Sequence, residues 1–336
     1  MSLTTVEQET TNQSLVERVC ESLSLDLRGA RVITEAATGP FAVTAAIAAY
    51  AGARVEAIAV DSRHGTALEA AGQTMAIAHE LGVAERIRIV SRAEAAFEMA
   101  DIVTNLGSVR PLNQAVVSRM TRGAVIPLMY DARELRLSDI DFDACRQQGV
   151  RVVGTFEEHP DFNVFRFIGP LALKLIADYT TLSKNEQITL VGNDLFAPYL
   201  LQSLKNTYAR TVHLPRWEQM TERLVSETGL FLYSDYCGDL GSVADYADPE
   251  VLQYAGKKQL LQFNGGASMT TLNSHGWQVI PANSIESHRM FQTLAYLGME
   301  PVVELNACGL KTAEILWKSL DRSDVGSLAD LCQIIC

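Results

Sequence analysis

His159, Arg133 and Arg110 are the residues of this chain best suited to act on a small anion. His159 stands in Glu157-Glu158-His159-Pro160, where a neighbouring carboxylate would raise its pKa and make it an acid–base group. Arg133 lies in the charge-dense run YDARELRLSD, and Arg110 in GSVRP. A guanidinium in either place can clamp a carboxylate with two parallel hydrogen bonds. The competing readings are an exposed loop histidine and a loop of ion pairs among Asp131, Arg133, Glu134 and Arg136.

A second set of residues suits a nucleotide. The small-residue turn Ala36-Ala37-Thr38-Gly39-Pro40 follows an apolar run, and Asp61 ends the next one. Small residues let backbone N–H groups approach an anion, and an acid after the second strand is placed to bond ribose hydroxyls. The setting recurs later, where Gly192-Asn193-Asp194 follows an apolar run. Arg216 follows the next strand, where an arginine suits the extra phosphate of NADP. Asn264 opens the glycine-rich turn of FNGGAS. At Gly39 and at FNGGAS alike, the competing reading is a plain tight turn.

The elements that must position these groups read as an unbroken alternation of strands and helices. Strands are expected at 32–33, 55–60, 86–90, 102–104, 124–129 and 150–153, with helices at 41–53, 65–81, 93–100, 111–120 and 140–148. A long apolar helix over 162–179 follows, with Pro170 placed to kink it. The pattern then restarts with strands at 188–191, 211–214, 229–234, 258–263 and 277–280, helices at 196–207 and 248–255, and closing helices at 288–297 and 311–320. This predicts an α/β chain of two tandem Rossmann-like domains with parallel sheets and an interdomain cleft. The expected boundaries are a tail and capping helix over 1–27, a first domain over 28–156, a connecting helix and hinge over 157–185, and a second domain over 186–336.

Composition narrows the function classes. With 336 residues, 48% hydrophobic and 20% charged, the chain is globular and long enough for two cores. A net charge of −12 argues against nucleic acid and anionic membrane surfaces as partners. Six cysteines form no C-x-x-C pair, so mostly buried thiols in a cytoplasmic protein are expected, with no metal site. No G-x-S-x-G or P-loop occurs, and no H-x-x-x-H.

The run DIDFDACRQQGVRVVGT, from Asp139 to Thr155, resembles a segment of the D-2-hydroxyacid dehydrogenases, and the order of domains and connecting helix is similar. The resemblance implies a nicotinamide cofactor, NAD or NADP, on the turn at Gly192-Asn193-Asp194, and a small carboxylate or carbonyl substrate. The chain departs from that family where Gly192-Asn193-Asp194-Leu195-Phe196-Ala197 stands for G-x-G-x-x-G, where Asn264-Gly265-Gly266-Ala267 lacks an arginine, and near Asn306, which takes the place of a histidine. Residues 31–105 also resemble the first half of a class I S-adenosylmethionine methyltransferase, through Glu35, Gly39, Asp61 and Asn105. The reading is therefore an NAD(P)-dependent oxidoreductase. The alternatives are a non-catalytic small-molecule-binding protein on the same fold, or an S-adenosylmethionine-dependent transferase. The apolar C-terminal run LADLCQIIC is expected to form a homodimer contact or to cover its own domain.

Overall fold

The computed structural model describes residues 12–240, 249–253, 258–265, 269–319 and 331–335. The chain divides into two compact units: unit 1 is Met1–Val164 with Gly298–Cys336, and unit 2 is Phe165–Leu297.

Unit 1 opens with α1 (Asn12–Ser22), which buries Leu15, Val16, Val19 and Cys20. The alternation follows: β1 (Arg31–Glu35), α2 (Thr44–Tyr50), β2 (Arg54–Ile58), α3 (Ala67–Glu80), β3 (Ile87–Val90), β4 (Ile102–Val103), α4 (Gln114–Val117), β5 (Val125–Asp131), α5 (Phe142–Gln148) and β6 (Arg151–Thr155). These strands lie in the order β3-β2-β1-β4-β5-β6, with parallel pairing throughout. That is the doubly wound order, whose topological switch point falls between β1 and β4.

Local chemistry explains the departures from expectation. The helix expected over 41–53 starts as a 3-10 turn, Gly39–Val43, with Pro40 near its start. It becomes α-helical only over Thr44–Tyr50. β2 ends at Ile58, so Asp61 lies beyond the strand. The helix expected over 111–120 starts only at Gln114, because the Asn113 side chain caps it by accepting the Val116 N–H. Asp131, expected in a loop, is the last residue of β5.

Unit 2 begins with α6 (Ile168–Tyr179), then β7 (Gln187–Val191), α7 (Ala197–Thr207), β8 (Arg210–Leu214), α8 (Glu222–Glu227), β9 (Thr228–Ser234), α9 (Pro249–Gln253), β10 (Gln259–Asn264), α10 (Met269–Ser274) and β11 (Gln278–Ile280). Pro170 stands in the first turn of α6, where a missing N–H breaks no intrahelical bond, so the predicted kink has no cause. The strand order β8-β7-β9-β10-β11 is again parallel, with its switch point between β7 and β9. Trp217, Phe231, Tyr233, Leu260 and Trp277 fill its core.

The end of the chain differs most from expectation. Residues 288–297 form no α-helix, only a 3-10 turn over Leu294–Leu297. The chain continues as α11 (Met299–Lys318), with Pro301 in its first turn, and α11 packs on β5, β6 and α2. A Cβ at Gly309 would stand 2.7 Å from Met129 Sδ, so the glycine permits the close approach. β12 (Cys332–Ile334) pairs antiparallel with β6. The closing elements thus belong to unit 1, not to the second domain. The described part of the C-terminal apolar run covers its own sheet; residues 328–330 and 336 of that run lie outside the described residues.

Among the described cysteines four are buried and Cys237 is exposed. No described helix is long and apolar enough to cross a membrane.

The loop that carries Asp61 is anchored by a capping box at α3, in which Thr66 Oγ1 accepts the Glu69 N–H and the Glu69 carboxylate accepts the Thr66 N–H. Thr66→Ala is expected to cost about 1 kcal/mol of stability, read as a lower urea midpoint at unchanged m-value.

Candidate functional site

In open α/β sheets the chemistry gathers at the carboxyl ends of the strands, where loops diverge at the switch point. In unit 1 that place is occupied by Glu35, the last residue of β1. Its carboxylate accepts the Ser108 N–H at 3.2 Å and the Gly107 N–H, both from the loop after β4. Glu35 is 8% exposed, and burial pushes its pKa up to about 7 against the opposing pull of those N–H groups and the Arg110 guanidinium. A carboxyl so placed can hold or release a proton near neutrality.

The loop after β4 is held from beneath by Arg92, whose guanidinium donates to the carbonyls of Ser108, Val109, Arg110 and Pro111. Arg110 then reaches Asp139, with Nη1 2.6 Å from Oδ2. Its Nε and Nη2 make no hydrogen bond among the described residues, so Arg110 retains donors for a carboxylate.

Arg133 does not. Its Nε and Nη2 donate to both oxygens of the buried Asp131 at 2.7 and 2.8 Å, and its Nη1 donates to Glu158 at 3.0 Å. Asp131 also accepts the Glu157 N–H at 3.0 Å. The substrate clamp expected at Arg133 is therefore an internal ion pair, which ties the end of β5 to the chain leaving β6. Glu157 is buried beside it, and burial, with Glu134 and Asp131 nearby, holds its carboxyl well above the usual range. Arg136, paired with Glu134 at 2.7 Å, lies over the Tyr130 ring.

His159 occupies the turn after β6 with its side chain 22% exposed. Its Nδ1 accepts the Asp161 N–H at 3.2 Å. The Asp161 carboxylate lies 3.8 Å from the same nitrogen.

The first turn of unit 1 is lined with donors that α3 satisfies. Gly39, at φ +63°, donates its N–H to Gln73 Oε1 at 2.7 Å, and Ala37 donates to Thr74 Oγ1 at 3.1 Å. No atom lies within 4 Å of a Cβ placed on Gly39, and Gln73 is exposed. Asp61 accepts the Ala67 N–H at 2.8 Å through Oδ1, while Oδ2 makes no hydrogen bond among the described residues. An exposed glutamine can swing away, leaving a free glycine N–H and an acid, so these residues fit a nucleotide.

Unit 2 is built differently. Gly192 takes φ +118°, and a Cβ there would lie 1.8 Å from Ser234 O. Asp194 Oδ1 accepts the Phe196 N–H at 3.0 Å. Its Oδ2 accepts Ser234 Oγ at 2.8 Å, the Tyr236 N–H at 2.9 Å and Asn264 Nδ2 at 3.1 Å. Asn264, fully buried, also accepts the Asp235 N–H at 2.6 Å. His213 Nε2 lies 2.7 Å from Gly192 O on the other side. The turn expected to cradle a diphosphate thus already holds a carboxylate, bound by the Phe196 N–H at the start of α7 and by donors at the ends of β9 and β10. A second anion there would be repelled, so these residues do not fit a pyrophosphate. Asn193 and Arg216 are exposed on this edge; Gly266 and Ala267 lie outside the described residues. Among the described residues no His, Cys, Asp and Glu group is placed to hold a metal.

The strand-end rule locates most of these residues in the sequence. Arg92, Gln73 and Thr74 escape it, because each acts on a loop far away in the chain and no local signal marks them.

No protein-family model matches the sequence, and no curated protein matches it. Among solved structures, one of the subunits of dipicolinate synthase from Bacillus halodurans is similar at 9% identity and a TM-score of 0.55, over 87% of this chain and 98% of that one. D-2-hydroxyisocaproate dehydrogenase is similar at 10% identity and a TM-score of 0.49, over 87% and 98%. L-alanine dehydrogenase follows at 11% and 0.45, over 89% and 92%. At this identity the likeness to the dipicolinate synthase subunit is one of fold alone.

The two switch-point carboxylates should respond differently to change. Below about pH 4.5 the Glu35 carboxyl is protonated in folded and unfolded chains alike, and from there to about 7 only the folded chain keeps the proton. Stability therefore falls as pH rises through that window, by on the order of 3 kcal/mol. Urea midpoints at pH 5 and pH 8 should differ less in Glu35→Gln than in the unchanged protein, and an equal difference would count against this role. Asp194→Ala leaves the Phe196 and Tyr236 N–H groups and the Ser234 hydroxyl without their acceptor, and is expected to cost about 2–3 kcal/mol of unit 2 stability by urea unfolding, with Asp194→Asn milder.

Proposed function

We propose that this protein is a nicotinamide-nucleotide-dependent oxidoreductase acting on a small carboxylate or carbonyl compound, with the nucleotide seated at the switch point of unit 1. The contrast between the two first-strand turns carries this reading. In unit 2 a fixed carboxylate fills the anion seat; in unit 1 only the exposed Gln73 covers Gly39, and Asp61 keeps a free oxygen. Asp61 would accept hydroxyls of the ribose, which favours NAD over NADP. Arg110 would take the substrate carboxylate with its unused donors, and Glu35 would exchange the proton. The bound nicotinamide would supply or accept the hydride.

A second reading is favoured by the sealed turn of unit 2: a small-molecule-binding protein that keeps the fold without redox chemistry. Titration of the full chain with NADH and NADPH, followed by nucleotide fluorescence, separates the two. The first reading expects NADH binding that weakens at least tenfold in Asp61→Ala and is unchanged in Asp194→Asn. Absence of binding by either nucleotide removes the oxidoreductase reading. Stabilisation by S-adenosylmethionine alone, in a parallel melting experiment, would replace it with the transferase.

A further inference from the structure

The opposite edge of the unit 1 sheet has a separate feature. Arg31 opens β1 and Arg54 opens β2, and the two are register partners. Val55 pairs with Ile87, which sets Arg86 beside Arg54 at the mouth of β3. Three arginines thus cross the amino ends of three adjacent strands. Like charges directly opposite on neighbouring strands destabilise a sheet, so a sequence under no other demand would avoid this row.

Nearby acids offset part of the charge, and Asp101 Oδ2 accepts the Arg31 backbone N–H at 2.8 Å. Arg88 pairs with Glu56, and Arg86 lies 3.6 Å from Glu85. Arg31 and Arg54 have no ion pair among the described residues. The surplus is local: the chain as a whole carries a formal charge of −12. These side chains, with Glu56, Glu85, Ile33, Ala96 and Met99, line a groove of about 670 Å³. Met99 is 51% exposed there. A volume of this size suits a small organic ligand.

We propose that this groove binds a phosphate-bearing small molecule of mononucleotide size. Arg31 and Arg54 take the phosphate through their guanidinium forks, and Ile33, Ala96 and Met99 take the organic part. The site lies at the amino ends of strands whose carboxyl ends carry Glu35 and Asp61, so it is independent of the nucleotide seat proposed above.

Isothermal titration of the full chain with ADP, and with inorganic phosphate as competitor, tests it. The expected result is ADP binding that phosphate weakens, that persists when NADH is present in excess to fill the seat at Gly39 and Asp61, and that Arg31→Gln/Arg54→Gln weakens at least tenfold. Without ligand, the double variant should melt at or above the temperature of the unchanged protein, because a repulsion has been relieved. Equal ADP affinity in the double variant, loss of ADP binding when NADH is in excess, or no binding of either probe would overturn the proposal. So would a homodimer that the double variant dissociates, since the groove would then belong to a second copy of the chain.

Discussion

Each sheet has one place where the loops of two neighbouring strands part, and the polar groups exposed there must find partners. In this protein a carboxylate on the first strand, or in the turn after it, crosses that gap in both units. Glu35 reaches from β1 to the loop after β4, and Asp194 reaches from the turn after β7 to the loop after β9. Glu35 leaves the Gly39 N–H to Gln73, whereas Asp194 takes up donors of the turn that follows β7 itself. The two differ in how firmly they are held. Asp194 accepts one bond on one oxygen and three on the other. Glu35 rests on backbone N–H groups alone and keeps its proton to near neutrality.

The second constraint is charge pairing at the end of β5. Asp131 is wholly buried and is tolerated because Arg133 meets both its oxygens and two backbone N–H groups add to them. Removing either partner of such a pair leaves an uncompensated charge, so the pair is better understood as a fixed joint than as a reserve of donors. Arg110, with one bond to Asp139, is the guanidinium at this edge that keeps unspent donors.

Much of this architecture was legible from periodicity. Short apolar runs bounded by small residues located nearly every strand, and their alternation with helices gave the parallel sheets. The end of the chain was not legible. Pro301 stands in the first turn of α11, and the buried Glu304, Asn306 and Thr312 interrupt its apolar face. At the site, strand ends announced the positions of Asp61, Asp194 and Asn264. What the side chains do there depends on partners brought from elsewhere by the sheet order. Arg133 illustrates the limit: its sequence neighbours are equally consistent with a clamp and a closed ion pair, and only the burial of Asp131 decides.

The discontinuity of unit 1 bears on synthesis. Unit 2 is one continuous stretch, whereas the sheet of unit 1 is covered at β5 and β6 by α11, which follows the whole of unit 2 in the chain. A chain emerging from the ribosome completes unit 2 while Val125–Asp131 and Arg151–Thr155 still lack their helical cover. For that interval, two of the most apolar strands stand uncovered on one face. In order of synthesis, unit 2 is thus complete in sequence before unit 1 receives its last helix.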